Sequence, residues 1–586
     1  MGAAAETSAT DRDGRPDVVI LGAGINGAAL ARELVLNDAS VVVVDADDVA
    51  SGTTRWSTRL VHGGLRYLEY GEVGLVRESL RERGRLVRLA PHLVRPLGFY
   101  VPLRRRLGGL RAAAARVLGF DRLARRFDDP RGRGAIAVDV GLRLYDLLAL
   151  GTGWPRHRMV RAGGEGAPRV DRQRYPLAAL YDDARMPWPE RFTVELLVDA
   201  ARIAAERGLP FVVHTRRVAR IAGDGGMRLE CVHGTRHALP IAPRALVNAT
   251  GAWVDRTNER LLPAAPRPRP LVGGTKGSHL LVDHEPLRAA LGERAVYAEA
   301  EDGRPVFVIP SGRRRVLVGT TDIPFSGDPA AARASGDEID YLLGVVATLF
   351  PDAAPPPAAV VVHYSGVRPL PAADGAPAGI TRRHLLVPLA DMPVPAWAIV
   401  GGKLTTCRSL AEEAAARVLA RLGRRVTANS RERPLPGACA PPDAHSLAVT
   451  LAAVGVRAGR PADEAGRSAA ATVALLGTRA AGVFDLVERA PGGERAAWLE
   501  PLPGVDLPAA VVPFCLAEEW ACSLADLVER RLVLPFEQGF SPATVRAVAA
   551  AMVRAGALDA GSVDGEVAAL LSGLVDRHGL RFPPAD

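Results

Sequence analysis

Lysine is almost absent. The 586-residue chain has 74 basic residues, of which only Lys276 and Lys403 are lysine and the other 72 are arginine. Abundant Ala, Gly, Pro and Arg make drift the cause of the shortage, so a surviving lysine is expected where a compact ammonium cannot be replaced by a guanidinium fork. Paired cysteine is also missing. Cys231, Cys407, Cys439, Cys515 and Cys522 contain no CxxC spacing, which argues against a zinc site or a disulfide framework and fits a reducing compartment. No apolar run reaches the roughly 18 residues of a membrane-spanning helix. The acid-bearing start, MGAAAETSATDRDGRPD, is not a secretory signal, and residues 1–16 read as a flexible tail. Hydrophobic content of 48% beside 24% charge excludes a disordered, collagen-like or coiled-coil chain.

What is present begins at Asp17 with DVVILGAGINGAALARELVLNDASVVVVDAD. Val18 to Leu21 reads as a buried strand, Gly22-x-Gly24-x-x-Gly27 as a tight turn, Ala28 to Leu36 as a helix, and Val41 to Val44 as a second strand ending in Asp45. The glycines let backbone approach a pyrophosphate at a helix N-terminus, and Asp45 can accept ribose hydroxyls. An acid there favours NAD or FAD over a 2′-phosphorylated cofactor. Further strands are expected at 211–214, 245–249, 306–309, 316–318, 360–363 and 397–400, and a helix at 411–422. This mixture implies an α/β domain interleaved with a mainly antiparallel one. The stretch 427–442 reads as a linker, and the Ala- and Leu-rich remainder as helical.

Several glycine-rich turns punctuate these strands. Gly63 and Gly64 precede Arg66 and Tyr67, an anion fork and a phenol. Gly251 follows the strand ending at Ala249. Lys276 lies in a glycine-rich turn three residues before His279, and histidine is the usual proton-transfer side chain near neutral pH. Thr321, Arg368 and Arg382 lie in later turns, and arginine pairs bidentately with phosphate or carboxylate. Lys403 sits in Gly401-Gly402-Lys403-Leu404-Thr405-Thr406, between a strand and a helix.

In order, GAGINGAALA, HGGLRYLE, NATGAWVD, KGSHLLV, VFVIP, GTTD, YSGVRPL, ITR and GGKLTT span residues 17–410. Together they resemble the FAD-dependent glycerol-3-phosphate dehydrogenase family of the D-amino-acid-oxidase-like flavoproteins. EEWACSLADLVERR at 518–531 resembles that family's helical C-terminal domain. The resemblance implies an α/β, Rossmann-like FAD-binding domain interleaved with an α+β antiparallel-sheet substrate domain over 17–430. The substrate parts fall near 96–186 and 266–360, and an all-helical domain covers 431–586. It further implies oxidation of sn-glycerol 3-phosphate to dihydroxyacetone phosphate by hydride transfer from C2 to flavin N5, with electrons passed to a membrane quinone.

Carried over residue by residue, His279, Lys403 and Arg368 are the expected catalytic groups. Arg66, Tyr67, Lys276, Arg382 and Thr321 are the expected substrate contacts. Gly22, Gly24, Asn26, Gly27, Asp45, Ser57, Thr58, Gly63, Gly64, Gly251, Gly402, Leu404 and Thr405 are the expected FAD contacts, and no metal is expected. His279 is the expected base or proton relay; an arginine-polarised water is the alternative. The chain departs from the family pattern at Arg55 and Trp56, where the family's loop is small and Ser-rich, and at Cys407, where the family has Tyr.

Residues 103–126 carry eight arginines and one acid, so this segment alone holds +7 of the formal +9. Its arginines alternate with Leu, Val and Phe at helical spacing, which reads as a surface for anionic membrane. The expected location is therefore cytoplasmic, attached to the inner face of the cell membrane. No nucleic-acid motif accompanies the patch. A homodimer is one admissible state. A glycerol-3-phosphate oxidase using O₂ is the competing enzyme, and a non-catalytic flavoprotein the competing binding module.

Overall fold

Four consecutive valines, Val41–Val44, are buried on both faces of their strand, the pattern of a parallel sheet covered by helices. The computed structural model describes residues 15–106, 134–222, 226–233, 238–262, 269–372 and 382–582. In it, Val41–Val44 lies between Val18–Leu21 and Phe211–His214. Ala245–Asn248 and Ala396–Val400 continue the sheet on the other side, all parallel, and Leu385–Pro388 closes the edge antiparallel. The parallel strands thus run 3-2-1-4-5 in chain order, the doubly wound arrangement whose ligands sit beyond the carboxyl ends at the switch point. Helix Ile25–Leu36 packs on one face with Pro189–Arg207 and Cys407–Arg421. A three-stranded sheet, Arg217–Ile221, Met227–Cys231 and Leu239–Ile241, covers the other.

A ten-stranded sheet is woven through the first, from Leu60–Val61 to Val360–Arg368, and is antiparallel except where Ala295–Glu299 meets Arg95–Leu103. Strand parity decides what each of its residues faces. Along Thr275–Asp283, Leu280 and Val282 pack into the core around helix Gly336–Leu349. Lys276 and Ser278 share that parity, whereas Gly277 and His279 face the opposite way. From Pro441–Arg457 to Val563–His578 the described chain forms helices around one core. This α/β fold with a helical C-terminal region is the expected class. One stretch, Ala462–Arg489, is long and apolar enough to cross a membrane, but it buries Ala469, Val473, Leu476, Val483 and Phe484 inside these helices. Of the arginine-rich segment only 103–106 are described; the docking surface expected at 103–126 otherwise lies outside the described residues.

Candidate active site

The first strand ends in a turn that only glycine can make. Gly22 has φ +100°, and a Cβ there would stand 2.7 Å from the Ala249 carbonyl oxygen. A Cβ on Gly27 would lie 1.9 Å from the Gly22 oxygen, so helix and strand meet through bare backbone. Gly24 is the helix N-cap and meets nothing closer than Thr54 Oγ1 at 3.4 Å. Its missing side chain leaves room on the cavity side.

That cavity has a volume of about 620 Å³ and runs along the carboxyl ends of the parallel strands. Gly22, Gly24, Asn26, Asp45, Gly251, Gly402 and Leu404 line it, together with Ser57, Thr58, Tyr67, His279, Arg368, Arg382 and Lys403. Asp45 accepts hydrogen bonds from the Ala23 N–H (2.7 Å) and the Asp47 N–H (2.9 Å). Burial nevertheless raises its carboxyl to about 6. Below that pH it is protonated and loses its strength as an acceptor for ribose hydroxyls. FAD affinity, measured by fluorescence titration of apoprotein, is therefore expected to be flat above pH 7 and to fall as pH drops through 6. An Asp45→Asn variant should abolish the pH step.

Asn26 donates to the Gly401 carbonyl at 3.2 Å and leaves its Oδ1 without a partner. Gly401 and Gly402 have φ of +82° and +96°, and a Cβ on Gly402 would strike the Asn26 amide at 2.6 Å. Lys403 follows. Its ammonium sits 3.7 Å above the centroid of the Tyr67 ring, a favourable cation–π position. The Nζ is buried with no hydrogen-bond partner. Burial pushes the ammonium below its ordinary range. A buried donor left open is costly, so this one is poised for an acceptor brought in from outside.

His279 faces the cavity from its strand. Its Nε2 is 2.9 Å from Thr58 Oγ1, its ring stacks on Tyr364 at 4.9 Å, and its Nδ1 has no partner. Burial, then the charges of Arg368 and Arg59, hold it well below the usual imidazole range, so it is neutral at physiological pH. Arg368 donates to Asp322 (3.0 Å), Thr320 Oγ1 and the Thr321 carbonyl, and Asp322 also takes Arg382 at 3.3 Å. One carboxylate thus orients two guanidinium groups.

Besides Gly27, six expected contacts stand elsewhere. Lys276 points away from the cavity, where it donates to the Arg333 carbonyl and pairs with Glu338 at 2.7 Å. Thr321 Oγ1 donates to the same Glu338 carboxylate and is buried. Strand parity explains the first, and the Glu338 anchor the second; both belong to the support behind His279. Gly63 and Gly64 are absent from the lining. The Gly63 N–H donates to Tyr145 Oη (3.0 Å) and Asp183 (3.2 Å) on the far side of the loop. Thr405 lies just outside, where its Oγ1 accepts the His62 N–H at 3.1 Å. Arg66, half-buried in the turn Leu65–Tyr70, also stands off the lining.

Other lining residues went unanticipated. His62 faces the cavity, and burial lowers its imidazole to about 4; its place in HGGLRYLE was the available signal. Arg530, Arg577 and His578 enter from the C-terminal helices; Arg530 lies in EEWACSLADLVERR, which marks a helical domain without pointing to the cavity, and Arg577 and His578 lie in no motif. The departures at Arg55 and Trp56 meet these helices. Arg55 pairs with Glu529, and Trp56 lies tilted against His578 (4.6 Å between ring centres) and Tyr364 (5.4 Å). Burial alone would raise the Glu529 carboxyl, but Arg55 and Arg530 overcome it and hold it at about 2. Cys407 is buried in the core beside helix Ile25–Leu36, away from the cavity.

The FAD dependent oxidoreductase family model, DAO, matches residues 17–387. A glycerol-3-phosphate dehydrogenase of Synechocystis is 34% identical over 548 residues, covering 90% of either chain. The D-erythritol 1-phosphate dehydrogenase of Brucella abortus is 33% identical, covering 68% of this chain and 72% of its own. The solved glycerol-3-phosphate dehydrogenase of Bacillus halodurans, complexed with FAD, superposes with a TM-score of 0.68 at 22% identity, covering 97% of this chain and 98% of that one. With the glycine turn, the open Asn26 oxygen and the Asp45 acceptor all fitting a flavin dinucleotide, the chain belongs to the FAD dependent oxidoreductase family and takes FAD as its cofactor.

Proposed function

We propose that the protein oxidises sn-glycerol 3-phosphate to dihydroxyacetone phosphate and passes the electrons to a membrane quinone at the inner face of the cell membrane. The observation that carries this reading is the grouping of His279, Arg368, Arg382 and the open Lys403 ammonium around the cavity that also holds the dinucleotide cradle. Bound FAD supplies the two-electron acceptor at N5. Paired guanidinium groups suit a phosphate dianion. The Lys403 ammonium orients the C2 hydroxyl and stabilises negative charge that develops there. Neutral His279 accepts the hydroxyl proton, with Thr58 fixing its ring.

Anaerobic mixing of the holoenzyme with glycerol 3-phosphate tests this directly, since flavin absorbance must bleach. D-erythritol 1-phosphate shares the phosphate ester and the neighbouring secondary alcohol and serves as the competing substrate. Faster bleaching by it would reassign the substrate within the polyol phosphates. Peroxide formed on aerobic turnover would replace the quinone by O₂. His279→Gln is expected to slow bleaching about 100-fold and to remove the acid limb of its pH profile; an unchanged profile would transfer the base to an arginine-polarised water.

A further inference from the structure

A second cavity, of about 240 Å³, lies behind the loop that carries His62. Tyr145, Tyr181 and Trp154 line it beside the charged Arg83, Asp146, Arg156 and Asp182, and Ala149 and Leu150 give it an aliphatic mouth. Its mouth continues onto a helix face that no other element covers among the described residues. Helix Ala135–Leu148 buries Leu142 and Tyr145 but exposes Ile136 (43%), Val140 (53%), Leu144 (37%) and Leu147 (60%), and Leu150 (61%) extends the stripe to the mouth. The spacing of four, four, three and three residues keeps these side chains on one side of the helix.

The inner wall is shared with the flavin cavity. His62 lines the flavin cavity, and the next residue, Gly63, donates its N–H to Tyr145 Oη, which lines the second. Tyr145 in turn donates to the buried Asp183 (2.8 Å), which Arg83 pairs at 2.6 Å while lying 3.9 Å over the Trp154 ring. One chamber, walled by three aromatic rings and by charged side chains, therefore touches the flavin wall at its inner end and opens onto an aliphatic surface at its outer end.

We propose that this cavity holds the ring of the lipid-soluble quinone, with its isoprenoid tail along the exposed face of helix Ala135–Leu148. The inference rests on the quinone-linked reading above. Flat aromatic walls suit a conjugated ring, and the Trp154 indole N–H and Arg156 are donors for its carbonyls. In the reaction the reduced flavin would supply two electrons and its N5 proton, solvent would supply the second proton, and the quinone's two carbonyls would become hydroxyls.

The test uses the FAD-loaded full chain with a short-tail benzoquinone in buffer without lipid, so that bilayer attachment plays no part. Leu150→Glu puts a charge at the mouth and leaves the flavin cavity untouched. Its Kd for the quinone, by equilibrium dialysis against oxidised enzyme, and its quinone KM are expected to rise about tenfold. Bleaching by glycerol 3-phosphate and turnover with a water-soluble dye should stay at the wild-type level. Ala149→Trp, which fills the mouth, should repeat the result. Wild-type Kd and KM in both variants would overturn the proposal. Should Leu147→Glu and Leu150→Glu shift the gel-filtration mass while quinone binding stays intact, the face belongs to a second copy and the proposal fails. If the wild-type enzyme bleaches yet reduces no quinone, the acceptor reading itself falls and this occupant with it.

Discussion

Lys403→Met should reduce the rate of flavin bleaching by glycerol 3-phosphate about 100–1000-fold, the scale of removing one preorganised donor to developing charge. The ammonium is held over the Tyr67 ring with no hydrogen-bond partner of its own. Its contact in the resting fold is the Tyr67 ring, so thermal stability should change little, the loss of that contact being offset by removal of a buried charge. Lys403→Arg should recover little. A guanidinium is longer and planar, and it cannot set a compact charge at the point above the Tyr67 ring where the ammonium sits. Stopped-flow reduction under anaerobic conditions reads the rate, and a calorimetric scan reads the stability. The control is Lys276→Met, which strips Glu338 of its cation (2.7 Å) and should lower the unfolding midpoint. If Lys403→Met bleaches at the wild-type rate, the open ammonium plays no part in the chemistry.

The two lysines also show how far the sequence could be read. Glycine spacing, a strand on each side and an acid at the end of the second strand are local features, and the structure places Gly22, Gly24 and Asp45 on the cavity as local rules require. The choice between Lys276 and Lys403 was not local. Both sit near glycines, yet their roles differ because Lys276 falls on the even side of its strand, facing helix Gly336–Leu349, while His279 falls on the odd side. Parity was computable, but which parity faces the cavity depends on how the ten-stranded sheet docks. Gly63 was misleading for a related reason: its bareness serves Tyr145, whose Oη would stand 2.3 Å from a Cβ there. Least legible was the share taken by the C-terminal helices. Arg530, Arg577 and His578 reach the cavity across more than 450 residues of sequence from Arg55 and Trp56, and no spacing rule links segments so distant.

That long-range contact supports the second large effect, in Asp48→Asn. Asp48 follows the Asp45 turn, is fully buried, and accepts from Arg530 Nε at 2.6 Å and from Arg531 Nη1 and Nη2 at 2.7 and 2.8 Å. An amide has the same shape but offers one acceptor oxygen, and its NH₂ would face a guanidinium. Breaking a buried ion pair from one side costs about 3–5 kcal/mol because the remaining charges stay in low dielectric. Arg530 keeps Asp526, and Arg531 keeps the Glu519 carbonyl, so the helices should still fold. What loosens is the seam between segment 526–531 and the loop 48–59, which also carries Arg55, Trp56 and Thr58. The unfolding midpoint is therefore expected to fall by several degrees, and the variant to lose FAD on gel filtration, seen as a lower ratio of absorbance at the flavin band to that of protein. The two readouts separate the causes: a lower midpoint with full flavin would mean that the C-terminal helices stabilise the fold without shaping the cofactor loop. Loss of both together would tie cofactor retention to a contact made by segment 526–531 with the loop after the second strand.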